Sequence, residues 1–92
     1  MAIFTVTAFE ENKLLEERIA FEFPGDSYEI MPGSSWLVSA AGTSIDLSER
    51  LGLPKGDVGS AIVTRVEGYH GRAPTPVWEW IKAKWEGSSH GV

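Results

Sequence analysis

The sequence contains no cysteine. That excludes a disulfide framework and a thiolate zinc centre, and it makes the cytoplasm the expected location. Histidine is scarce as well, with only His70 and His90 present, which gives no metal-ligand constellation. No apolar run approaches the ~20 residues that a membrane span requires. Met1 to Phe9 lacks the basic stretch and long apolar stretch of a secretory signal. The phosphate-binding glycine patterns GxGxxG and GxxxxGK are missing, and none of Ser34, Ser35, Ser39, Ser44, Ser48 and Ser60 stands in the GxSxG of a nucleophile elbow; Ser34-Ser35 read as turn residues and Ser44 as a cap. Neither internal repeats nor a linker interrupts the chain. At 92 residues it has room for one core, expected over residues 1–86 with a flexible tail from 87 to 92.

What is present is acidic and unevenly so. The first third carries Glu10, Glu11, Glu16, Glu17, Glu22, Asp26 and Glu29 against Lys13 and Arg18, which accounts for the whole net charge of −5. Such a surface repels phosphate backbones, so a nucleic-acid role would have to use the electrically neutral remainder.

Patterning supplies the elements. Ala2 to Phe9 alternates, Phe4, Val6 and Ala8 on one side and Ile3, Thr5 and Thr7 on the other, which predicts a strand. Glu11 to Ala20 places Leu14, Leu15 and Ile19 at helical spacing, although Ile19, Phe21 and Phe23 also alternate and leave the end of that helix open before Pro24-Gly25. Tyr28 to Met31 and Ser34 to Ala40 read as two strands around Pro32-Gly33. Thr43 or Ser44 can cap a short helix that turns Ile45 and Leu51 inward and stops at Gly52. Val58 to Val66 is β-branched and predicts a fourth strand, and Gly68 to Pro74 is a loop. Thr75 as N-cap and Pro76 behind it then open a final helix. At about 100° per residue, Val77, Trp78, Ile81 and Trp85 share one arc and seal a core, while Trp80 falls at its margin as a candidate interface residue.

The resulting order of strand, helix, strand, strand, helix, strand and an added helix predicts an α+β domain of ferredoxin-like βαββαβ type, an antiparallel sheet with two helices on one face. On the second face Ile3, Leu37 and Val63 are expected together. That surface is too apolar to stay wet, so either the last helix or a second subunit must cover it.

Three chemistries have candidates. Glu10 and Glu11 sit where a strand-end metal site would be, but adjacent strand residues point to opposite sides, so the alternative is that they charge the first turn of the helix. His70 and Arg72, in the glycine loop ahead of a helix N-terminus, are anion-site candidates, with a plain surface loop as the alternative. Lys82 and Lys84 add cations near them, the pattern of a nucleic-acid surface. No cofactor and no metal is called for.

Ser35-Trp36-Leu37-Val38 opening a strand, Arg50-Leu51 ending a short helix, the β-branched Ala61 to Val66 and the closing Trp78-Glu79-Trp80-Ile81-Lys82 together resemble the small SinR-like proteins, relatives of the CRISPR-adaptation nuclease subunit and of VapD-type toxins. The resemblance spans Ile3 to about Trp85. It implies a ferredoxin-like fold, homodimers with facing sheets, a defence or toxin–antitoxin setting and, in some members, metal-dependent cleavage of nucleic acid by an Asp ending the first strand. Here Ala8-Phe9 occupies the place of that Tyr-Asp pair. The expectation is therefore a non-catalytic, dimer-forming interaction domain with an unidentified protein partner. The alternatives are a nuclease using Glu10 or Glu11, or nucleic-acid binding without cleavage.

Overall fold

A computed structural model describes residues 1–85. The expected tail and His90 lie outside the described residues. Seven elements follow along the chain: β1 (Ala2–Ala8), α1 (Lys13–Glu22), β2 (Ser27–Met31), β3 (Ser35–Ala40), α2 (Ser44–Leu51), β4 (Ala61–Arg65) and α3 (Thr75–Lys84). The four strands form one sheet in the order β2-β3-β1-β4, and every neighbouring pair is antiparallel. This is a small α+β domain with three helices.

The alternation of β1 divides the molecule into layers. Phe4, Val6 and Ala8 point to one side, where they are buried with Trp36, Val38 and Ala40 of β3, Leu15 and Ile19 of α1, and Leu47 and Leu51 of α2. Ile3 points the other way and joins Leu37 and Ile81 in a second, smaller cluster beneath α3. So α1 and α2 cover one face, and α3 crosses part of the other. Lys84 pins the end of α3 to the start of β2 through a 2.9 Å ion pair with Asp26. The face that demanded a cover thus receives one from the same chain.

Several boundaries differ from the sequence expectation, each for a local reason. Helix α1 begins later, because Asn12 caps it by accepting the Leu15 N–H, and it holds through Glu22; the alternation of Ile19, Phe21 and Phe23 does not make a strand. Ile45 is 67% exposed rather than inward. The capping box of Thr43 and Asp46 starts α2 so that Leu47 and Leu51, four residues apart, share the buried stripe; Ile45 then falls about 200° from Leu47. Strand β4 is shorter than expected, because Gly59 at φ +89 breaks the extended run, and Val58 is buried in the turn before it. Thr75 is the first helical residue of α3, not its cap; Pro74 holds the cap position without a side-chain hydrogen bond.

The largest change concerns Val63. Its partner across the β1–β4 ladder is Val6, so it lies on the α1/α2 face and packs against the main core, not beside Ile3 and Leu37. Residues directly opposite in a ladder share a face, and the register overturns the expectation that grouped Val63 with Ile3 and Leu37.

Candidate functional site

The loop from Phe9 to Asn12 joins β1 to α1. Its backbone is held by Ala8 N–H to the Ser34 carbonyl and Asn12 N–H to the Gly33 carbonyl, both at 2.8 Å. Asn12 does more than cap. Its Oδ1 accepts from Leu15 N–H at 3.0 Å, and its Nδ2 donates to the Val58 carbonyl at 2.6 Å. One side chain therefore ties the start of α1 to the turn before β4, while its main chain ties both to the β2–β3 turn. That arrangement leaves Glu10 and Glu11 on the outside, both exposed. Among the described residues no three Asp, Glu or His side chains gather as metal ligands.

Beyond Val66 the chain runs without regular structure to Pro74. Tyr69 fastens this loop to α3, its ring lying 5.8 Å from Trp78 and, edge-on, 4.9 Å from Trp85. Edge-to-face pairs of this kind add to burial, so the loop is held by aromatic contact. His70 and Arg72 are exposed on either side of Gly71, and neither is brought into a hydrogen bond or ion pair among the described residues. Lys84, a candidate nucleic-acid contact, is engaged with Asp26, whereas Lys82 is exposed.

The tryptophans are less sharply divided than the helical arc suggests. Only Ile81 of α3 is fully buried, and Val77, Trp78, Trp80 and Trp85 are all half-buried around it. Trp80 leans across β2 with its ring 6.2 Å from that of Tyr28, so it takes part in seating α3. Leu37, offered with Trp80 as an interface residue, is 7% exposed beneath the same helix.

Electrostatic organisation is strongest where α1 and α2 end. Arg50 Nε donates to Glu22 Oε1 at 2.9 Å, and its guanidinium stacks 4.4 Å from the Phe23 ring centroid. Arg18 adds a 3.4 Å ion pair to Glu22 and donates to the Arg50 carbonyl, at the helix end where a cation is favoured. The Arg50 hydrogen bond, with Coulombic help from both arginines, holds the Glu22 carboxyl below its ordinary range. A nearby dent of about 420 Å³ at the end of α2 mixes Arg18 and Lys55 with Glu49 and Asp57, so it presents no single sign of charge.

Two other features were not singled out by sequence. The first is a row of exposed apolar side chains along α1 and the loop before it: Phe9, Leu14 and Phe21 at 70%, 61% and 80% exposure. The second is the free edge of the sheet at β4. Val66 N–H donates to the Ile3 carbonyl, so the residue pairs that exchange hydrogen bonds with β1 are those of Val66, Thr64 and Ile62. By the antiparallel alternation, the N–H and C=O groups of Ala61, Val63 and Arg65 point outward, away from the sheet. Flanking this edge are Ile62, 52% exposed, and Ile45, which shares a groove with Val63 and Pro54.

No family model, curated protein or solved structure matches this chain. Among the described residues no helix is long and apolar enough to cross a membrane.

Proposed function

We propose that this chain is a non-catalytic protein-interaction domain of ferredoxin-like architecture that forms a homodimer through the outer edge of β4. The ferredoxin-like reading is supported by the order β2-β3-β1-β4, antiparallel throughout, with α1 and α2 on one face. Kinship with SinR-like proteins belongs to the same proposal, carried by Ser35-Trp36-Leu37-Val38 in β3 and Trp78-Glu79-Trp80-Ile81-Lys82 in α3. A cytoplasmic setting goes with it, because a chain without cysteine draws nothing from an oxidising compartment. The non-catalytic reading rests on β1, which ends at Ala8 with Phe9 beyond it, where the family's carboxylate would stand.

The observation that carries the dimer is the β4 edge. An exposed strand edge is a template for another strand, and β4 is self-complementary. About a twofold axis at Val63, antiparallel pairing sets Val63 against its own copy, Ile62 against Thr64, and Ala61 against Arg65. The outward groups of Ala61, Val63 and Arg65 then bond in pairs, and no two like charges meet across the ladder.

Light scattering coupled to gel filtration tests the proposal. The parent is expected to run as a dimer at micromolar concentration. Val63→Pro removes an outward N–H that takes no part in the β1–β4 ladder; it also trades the half-buried valine side chain for a proline ring, so circular dichroism is read first, and the protein should be a folded monomer. Ile62→Lys should do the same by placing charge in the pair with Thr64. A parent that is monomeric at that concentration, or a Val63→Pro protein that stays dimeric, removes the β4 pairing.

A further inference from the structure

We infer that the outer ridge of α1 is a docking site for a basic amphipathic helix of another protein. The inference deepens the interaction reading and does not depend on the β4 pairing.

Phe21, Phe9 and Leu14 are three of the four most exposed large apolar side chains among the described residues. They are not scattered. Phe9 and Leu14 both line one surface dent of about 460 Å³ between the β1–α1 loop and residues 58–60. Leu14 and Phe21 are seven residues apart on α1, which puts them about 20° apart around the helix axis and about 10 Å apart along it. The three therefore form a line of apolar positions, and none of them contributes to either buried cluster. Leu15 and Ile19, about 100–160° around the axis from that pair, do the packing. Folding gains nothing from leaving Phe21 in water.

The charge around the line that no ion pair among the described residues neutralises is negative. Glu10 and Glu11 stand beside Phe9, and Glu17 lies between Leu14 and Phe21, one turn from each. None of these three carboxylates makes an ion pair among the described residues. Both cations on the same stretch are engaged: Lys13 with Glu16 at 3.9 Å, and Arg18, one turn from Leu14 and from Phe21, with Glu22 at 3.4 Å and the Arg50 carbonyl. This acidic rim decides between occupants. A second copy placed ridge to ridge would set one acidic rim against another. Nucleic acid and anionic lipid are repelled by the same carboxylates. A helix bearing apolar residues two turns apart, flanked by Lys or Arg, matches both the spacing and the sign.

A fluorescein-labelled helical peptide of leucine and lysine is the probe, with an analogue carrying glutamate for lysine as its control. Anisotropy should report binding of the lysine peptide alone, and amide shift changes in the labelled protein should centre on residues 9–21. Leu14→Ser with Phe21→Ser should weaken binding at least tenfold without moving the thermal midpoint by more than a few degrees, because both side chains are mostly solvated already. Glu10→Gln, Glu11→Gln and Glu17→Gln together should weaken it at low salt and flatten its salt dependence. The inference is overturned if the serine double variant binds as tightly as the parent, which would leave charge attraction alone. It is also overturned if the glutamate peptide binds equally, if the shift changes lie at β4 or α3, or if the serine variant changes the mass seen by light scattering. Mass read beside anisotropy distinguishes failure of the ridge from failure of the β4 pairing.

Discussion

Replacing Asn12 tests whether one side chain joins three parts of this fold. Asn12→Ala removes the Oδ1 that accepts the Leu15 N–H, a loss typical of N-caps at about 1 kcal/mol. It also removes the Nδ2 donor to the carbonyl of Val58, a residue 5% exposed, for roughly another 1 kcal/mol. The two add because they involve different atoms and different partners, giving about 2 kcal/mol. For a domain of this size that corresponds to a fall in Tm of about 8–16 °C. Asn12→Asp separates the two bonds. The carboxylate still caps α1 and interacts well with its dipole, but at neutral pH it faces the Val58 carbonyl oxygen with no hydrogen to offer. Repulsion there raises the folded-state pKa of the introduced carboxyl above its unfolded value of about 3.9. The aspartate variant should therefore be less stable than the parent at pH 7, its stability falling as pH rises from the unfolded value through the folded one, and it should recover part of the deficit near pH 4. Urea unfolding followed by far-UV circular dichroism at the two pH values measures both effects. An alanine variant within about 0.5 kcal/mol of the parent, the range of ordinary surface changes, would refute the linkage, as would an aspartate variant equal to the parent at pH 7.

Two further perturbations probe other parts of the molecule. The Glu22 carboxyl is held below its ordinary 4.5, first by the Arg50 hydrogen bond, so its contribution to stability is present above that value and lost as pH falls through the lowered one. Between pH 5 and pH 3, Glu22→Gln should lose stability less steeply than the parent, and parallel urea profiles would contradict this. Ile81→Ala should cost about 2–5 kcal/mol, because Ile81 fills the centre of the cluster under α3. Since that cluster is small, the α3 layer should loosen first: fluorescence of Trp78, Trp80 and Trp85 shifts to the red while Trp36, buried in the other core, stays blue, and an unshifted spectrum would show that α3 does not depend on Ile81.

The elements and their order are written in the local sequence. Alternation in Ala2 to Ala8 and in Ser35 to Ala40 marks strands whose two faces are both buried. Gly52 past Leu51 marks a helix end, and the observed αL cap there at φ 83 is the conformation that only glycine adopts without strain. Helix α3 was legible as well, its glycine-free and largely apolar run locating Ile81 inside. The faces that these elements present to one another were settled only in three dimensions. Ile45 looked inward until the Thr43–Asp46 capping box set the rotation of α2, and no one-dimensional pattern contains that angle. Val63 changed faces because its orientation follows from lying opposite Val6, a partner 57 positions earlier in the chain. The role of Asn12 has no local mark in the sequence, since its second hydrogen bond goes to Val58, 46 residues away. The same holds for the candidate surfaces. The acidic first third was plain in the composition, but the exposure of Phe9, Leu14 and Phe21 became known only once Leu15 and Ile19 had taken the inner side of α1. The free edge of β4 exists because β4 stands last in the sheet order, with β1 as its one partner among the described residues. Local sequence encodes which residues can be helical, extended or apolar; which of them remain uncovered is a property of the packed whole.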